Sequence, residues 1–269
     1  MGKETGIKWT DSTFNSWWGC TKIERSPACA PCYAEAVDKR GGGGHWGRGS
    51  PRMRMSEKSR HEPYIWNRTA DKFEAEHGRR RRVFTLSMGD LFDNEVPDEW
   101  RQRHFDTMQD CDRLEWQICT KRISNLPKMM PHDWTPAEDG SLCWPRHIGV
   151  LITVVTQVEA DRDVPRLREL KSRLGIPWVG ISYEPAQEAI DWRPHLAVPN
   201  FQALDWIIFG GMSGPTWRES PFSLDWARQT RDQCAEAGAA FFMKQVAALR
   251  PTDDMIPPDL MIRQWPAGH

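Results

Sequence analysis

Three cysteines stand near the start of the sequence, in the run Trp17-Trp-Gly-Cys20, then Cys29-Ala-Pro-Cys32-Tyr33-Ala-Glu35. Their spacing is C-x8-C-x2-C. Three thiolates so placed can bind three irons of a [4Fe–4S] cubane, leaving the fourth iron without a protein ligand. The same sulfurs suit a structural zinc, which needs a fourth donor from His45, His61 or a distant cysteine. With Cys111, Cys119, Cys143 and Cys234 the chain holds seven cysteines. In a reducing compartment such a set favours metal binding or catalysis over a disulfide framework.

Other polar residues fall at the ends of apolar runs: Asp90, Lys121 with Arg122, Glu184, Ser213, and Lys244 with Gln245. Composition and patterning predict strands over 13–19, 83–87, 115–120, 148–156, 177–183, 205–209 and 240–243. Helices are predicted over 33–40, 98–110 (opened by Pro97), 161–174 (stopped by Gly175) and 223–237 (stopped by Gly238). Six or seven β/α units with buried strands imply a parallel sheet whose natural closure is a full or partial barrel; an open doubly wound sheet is the alternative. In either architecture the carboxyl ends of the strands form the active face, which is where these polar residues lie. The two-residue period puts Gln117, Cys119 and Lys121 on one face of the third strand, and Gly180, Ser182 and Glu184 on one face of the fifth.

At 269 residues the chain is long enough for one large α/β domain. We divide it into a barrel domain over 1–250, carrying a basic glycine-rich insert at 39–60, and an extended tail over 251–269. Formal net charge is -1, so no global field advertises nucleic acid. Locally, the 39–60 segment holds seven Lys/Arg against Glu57, with Trp46 inside it and Arg79, Arg80, Arg81 and Arg82 further on. Cations there would neutralise phosphates and a mobile aromatic would fill the gap left by an extruded base; a solvated charged face is the plain alternative. The fifteen tryptophans must largely be core, with some available to stack on a planar ligand. No run of about 18 apolar residues could span a membrane, and no apolar secretory stretch follows Met1, so a cytoplasmic setting is expected.

The C-x2-C half with adjacent Tyr33 resembles the radical S-adenosylmethionine (SAM) signature C-x3-C-x2-C, its first gap stretched to eight. Further landmarks are Met88-Gly-Asp-Leu-Phe92, Thr120-Lys-Arg122, Gly180-Ile-Ser-Tyr-Glu184, Gly210-Gly-Met-Ser-Gly214, Arg231-Asp-Gln-Cys234 and Phe241-Phe-Met-Lys-Gln245. Together they resemble a phage-borne and bacterial family of radical-SAM-like proteins. The resemblance implies a radical-SAM-like partial (β/α)6 barrel of parallel strands, with Cys20, Cys29 and Cys32 as ligands of a [4Fe–4S] cluster. S-adenosyl-L-methionine would chelate the open iron and yield a 5′-deoxyadenosyl radical on receiving an electron from an external donor.

It implies in turn that Asp90 accepts from the SAM ammonium and that Lys121 or Arg122 meets its carboxylate or a substrate phosphate. Ser182 and Glu184 would serve the ribose, and Gly210, Gly211 and Ser213 would admit the adenine. Lys121 and Lys244 would face the substrate. Cys119 would donate a hydrogen atom, or else be a small buried hydrophobe. The reaction expected is an isomerase or lyase step on DNA or a modified nucleotide, such as rearrangement of an amino-acid adduct in thymidine hypermodification within a host cytoplasm. A DNA-lesion lyase resembling spore photoproduct lyase and a non-enzymatic, zinc-stabilised nucleic-acid-binding module are the alternatives.

Overall fold

A computed structural model of the chain describes residues 5–30, 32–196 and 203–268. Met1 to Glu4, read above for a secretory signal, and Pro31 of the Cys29–Cys32 motif lie outside the described residues. The strands are β1 (Ser12–Phe14), β2 (Trp17–Trp18), β3 (Met53–Arg54), β4 (Arg82–Thr85), β5 (Glu115–Thr120), β6 (Ile148–Thr153), β7 (Val179–Tyr183), β8 (Trp206–Gly210) and β9 (Ala240–Gln245). The helices are α1 (Tyr33–Arg40), α2 (Glu57–Arg68), α3 (Ala70–His77), α4 (Asp98–Asp110), α5 (Leu126–Met129), α6 (Gln157–Leu174), α7 (Arg193–Leu196) and α8 (Leu224–Ala237).

Seven strands form one sheet in the order β1-β4-β5-β6-β7-β8-β9, and every neighbouring pair is parallel. β2 and β3 make a separate antiparallel ribbon. Spatial order thus follows chain order, and the sheet curls. In a flat sheet β4 and β8 would stand about 19 Å apart, at ~4.8 Å per step. Yet the ring of Trp9 lies 4.7 Å from that of Phe84 in β4 and 6.0 Å from that of Trp206 in β8. The result is a parallel half-barrel of seven strands.

Both faces of the strands are covered, which accounts for their nearly continuous apolar runs. On the convex side Trp116, Ile118, Val150, Ile152 and Ile181 pack in one core with Phe105 and Met108 of α4 and Val164, Leu167 and Leu170 of α6. On the concave side Leu151, Trp178, Trp206, Ile208 and Phe242 form a second cluster with Trp9. The register aligns Cys119 with Leu151, Gly180 with Trp206 and Ile208 with Phe242, so the expected alternation holds strand after strand.

The tail is bound to the sheet. Arg263 bridges Phe242 antiparallel, Met243 N donates to Ile262 O at 2.8 Å, and Gln264 N donates to Phe241 O at 3.0 Å. Trp265 then stacks edge-on to Phe242 at 5.0 Å, and its Nε1 donates to Trp9 O at 3.1 Å. The amino-terminal end of the half-barrel is thereby floored with indoles.

Two departures from the sequence expectations have local causes. α6 begins at Gln157 rather than 161, because the Thr156 hydroxyl accepts from Glu159 N at 3.3 Å and caps it. α2 and α3 fill 57–77, where no helix was expected; Ser56 caps the first, and Gly78, left-handed at φ 68°, ends the second. The glycine-rich 41–50 segment, as expected, forms no helix, and its Trp46 bridges Cys20. Among the described residues no helix is long and apolar enough to cross a membrane.

Candidate functional site

The carboxyl ends of the strands carry the chemistry, beginning with Cys20. Gly19 sits at φ +112°, and a Cβ there would lie 2.4 Å from His45 O, so only glycine lets the chain pass. Its N–H donates to Met88 O at 3.0 Å, which ties the cysteine loop to the end of β4. Thr21, next in the chain, is clamped twice. Its N–H donates to Asp93 Oδ2 at 3.0 Å, and Arg52 Nη2 donates to its hydroxyl at 2.6 Å and to Asp93 Oδ2 at 2.7 Å. Arg122 Nη2 donates to Thr21 O, while Arg122 Nη1 donates to Cys20 Sγ at 3.5 Å and to Asp90 Oδ2 at 2.9 Å. Burial and then the Asp90 charge push the Cys20 thiol up to about 12, against the pull of Arg122. A metal bound there would have to displace the proton, as coordinated thiols allow.

Cys29 ends a 3-10 turn (Pro27–Cys29) and Cys32 caps α1. Their loop is docked by Ser26, whose hydroxyl donates to Glu159 Oε1 at 2.6 Å, and by Lys22, which pairs with Glu35. All three cysteines are half-buried. Lys121 lies among them: burial works to lower its pKa, but Cys29, Cys119, Asp90 and Cys32 together raise it above the ordinary value. Among the described residues no three His, Cys, Asp or Glu side chains form a group that could hold one metal ion. By type, three cysteine sulfurs are the donors an iron–sulfur cluster takes, and the neighbouring cations Lys121 and Arg122 would offset the negative charge of a thiolate-ligated cluster.

Asp90 has another role than the one expected of it. Oδ1 accepts from Thr120 Oγ1 at 2.8 Å and Phe92 N at 3.0 Å; Oδ2 accepts from Lys121 N at 3.1 Å and Arg122 Nη1 at 2.9 Å. Four donors use the acceptor capacity of a carboxylate, so Asp90 holds Arg122 instead of offering itself to an ammonium.

Across the mouth, Lys244 at the end of β9 pairs with Glu184 beyond β7. Gly210 makes room for that pair, since a Cβ there would meet Glu184 Cγ at 3.2 Å. Gly211 accommodates the chain after β9 rather than an adenine, because its Cβ would lie 2.4 Å from Ala247 N. Ser213 is exposed. Ser182 is buried and aligned with Thr153, whose hydroxyl lies 3.6 Å from Cys119 Sγ. Burial raises the Cys119 thiol pKa. One step deeper, Gln117 is 1% exposed, and its Oε1 has no hydrogen-bond partner among the described residues.

The basic segments are largely structural. The Arg52 side chain is 2% exposed and belongs to Asp93, which removes it from any phosphate-binding set. Arg79 pairs with Asp11 at 2.6 Å, Arg81 covers the Phe73 ring at 4.1 Å and Arg82 covers Trp265 at 4.3 Å. Arg48, Arg54 and Lys58 remain exposed. Sequence reasoning gave Arg52 to the phosphate set and missed Asp93, Thr21 and Glu159; for Glu159 the Thr156-x-x-Glu159 capping pattern was a usable signal.

A cleft of about 430 Å³ lies elsewhere: it opens on the convex side between α2 and α4, beside Arg54, His61, Tyr64, Trp100 and Arg103. Arg54 of the basic segment and His61, a candidate zinc donor, line it, but none of the three motif cysteines or the strand-end polar residues does. Its back wall holds His104, whose ring lies 2.5 Å from the Ser16 hydroxyl and also contacts Thr85; burial brings its pKa down to about 3. A neutral imidazole tying β1, β4 and α4 together is a structural group, so the mouth is the better site.

A family described as "Protein of unknown function (DUF5131)" matches residues 4–262. No curated protein and no solved structure matches the chain.

Proposed function

The chain belongs to the DUF5131 family, and from its mouth we propose that it is a radical SAM enzyme built on a radical-SAM-like partial barrel. The observation that carries this reading is the Arg122 bond to Cys20 at the carboxyl end of a curled parallel sheet, with Lys121 within electrostatic reach of Cys29 and Cys32. These cysteines would hold a [4Fe–4S] cluster. Loaded with SAM, that group supplies a 5′-deoxyadenosyl radical once an external donor reduces it.

The chain's own residues divide the remaining work. Lys121 offers an ammonium to the SAM carboxylate or a substrate anion, and Arg122 adds a second cation. Glu184, aligned by Lys244, accepts from ribose hydroxyls. The indole floor keeps water from entering beneath. Cys119 presents an S–H within the concave face, beside Thr153.

The substrate in this reading is DNA or a modified nucleotide, and the step an isomerisation of an amino-acid adduct on a base, within a cytoplasm. The exposed Arg48, in the segment whose Trp46 bridges Cys20, supports a phosphate contact. A lesion lyase would use the same mouth with Cys119 as hydrogen donor; product analysis on modified against ultraviolet-damaged DNA separates the two.

The test is anaerobic reconstitution with iron and sulfide, then a search for 5′-deoxyadenosine after adding SAM and a reductant. Cys20→Ala, Cys29→Ala and Cys32→Ala should each lose the iron–sulfur absorbance, whereas Cys111→Ala and Cys143→Ala should keep it. A full four-iron cluster in Cys29→Ala would overturn the assignment. Colourless protein with stoichiometric zinc would favour the nucleic-acid-binding module instead.

A further inference from the structure

We propose that Arg122 sets the reduction potential of the cluster, by donating a hydrogen bond from a fixed guanidinium to the sulfur of Cys20. The proposal rests on the cluster reading above and adds to it a function for one particular side chain. Hydrogen bonds to ligating sulfur and nearby positive charge stabilise the reduced, more negative form of a cluster and so raise its potential.

Both ends of this contact are held. On the donor side, Arg122 Nη1 reaches Cys20 Sγ at 3.5 Å and Asp90 Oδ2 at 2.9 Å, and Nη2 reaches Thr21 O. Asp90 is itself fixed by Thr120, Phe92 and Lys121, so the guanidinium has no loose partner to follow. On the sulfur side, Gly19 is tied to Met88, and Thr21 to Asp93 and Arg52. The Arg122 and Asp90 side chains are only 10% and 7% exposed, so water and salt screen the interaction little. Among the described residues no donor reaches the sulfur of Cys29 or Cys32. The contact therefore singles out one ligand of three. Removing the cation leaves the Asp90 carboxylate uncompensated next to the cluster, which pushes the potential the same way as losing the hydrogen bond.

The experiment is a spectroelectrochemical titration of the reconstituted protein without SAM, with iron and sulfide counted in each sample. Arg122→Gln should keep its four irons and titrate at a more negative potential than wild type. Arg122→Lys, which retains the charge but loses the planar fork, should fall between them. Arg52→Lys loosens the same loop without touching sulfur and should leave the potential where it was. A wild-type potential in a fully loaded Arg122→Gln overturns the proposal, and so does an equal shift in Arg52→Lys, which would assign the effect to loop position. Should Arg122→Gln load no cluster, Arg122→Lys decides, an unchanged potential counting against. Failure of the wild type itself to take up a cluster would overturn the functional reading, and this inference with it.

Discussion

The two ends of the half-barrel are made from the same strands and could hardly differ more. At the amino-terminal end Trp206 meets Trp9 at 6.0 Å, Trp178 at 5.8 Å and Phe242 at 6.1 Å, all near edge-on, so that rings fill the concavity. At the carboxyl end the inward positions carry thiols and ion pairs, Asp90 with Arg122 and Glu184 with Lys244. β8 alone runs from Trp206 to Gly210, and the face of β5 runs from Gln117 through Cys119 to Lys121. At ~3.3 Å per residue the lining passes from hydrocarbon to charge over about 13 Å. The contrast teaches that the floor carries stability while, in the proposed reading, the mouth carries ligands. Substitutions at one end should leave the other's property alone.

The largest effect expected from breaking that division is at the floor. Trp206→Ala removes a fully buried indole and should cost about 3–5 kcal/mol. That lowers Tm by roughly 10 °C for a chain of this size. Cys29→Ala at the mouth should leave the melt of the metal-free protein within about 0.5 kcal/mol. Thermal denaturation of both variants decides, and equal losses would erase the distinction.

Next in size is the mouth. Glu184→Gln should weaken SAM binding by about tenfold or more, from loss of a hydrogen bond to a charged group worth roughly 1.5–3 kcal/mol. Calorimetric titration of the reconstituted protein measures it, and an unchanged affinity would take Glu184 out of the pocket.

The smallest expected effect belongs to the wall behind β1 and β4. His104 has its pKa lowered by burial from 6.5 to about 3. Between those values the unfolded chain binds a proton that the folded chain does not, so stability falls as pH falls. From pH 7 to pH 5.5 the loss should be about 1 kcal/mol, and denaturant titrations at the two pH values should show it. His104→Gln should flatten the difference; an undiminished slope would place the acid-sensitive group elsewhere.

Much of this was legible in the sequence where local signals act alone. The bounds of β5 and α4 follow from alternation and from Pro97 as expected, and Gly175 and Gly238 stop their helices as read. The inward set of Cys119, Ser182 and Glu184 followed from the two-residue period. Illegible were the pairings that settle roles. Arg52 finds Asp93 41 residues away and Asp90 takes Arg122 from 32 away, so neither a structural arginine nor a saturated carboxylate can be recognised from its neighbours. α2 escaped notice because charge and Pro63 obscure its apolar face.

The strap over β9 has a consequence for the exposed edge of the sheet. Without residues 262–265, the outer edge of β9 would be an open template for another strand. Antiparallel pairing through Arg263 closes the template, and Trp265 locks it by reaching Trp9 across 256 residues of sequence. Chains truncated before the strap should therefore be prone to associate edge to edge, which the few residues after Leu260 prevent by covering β9.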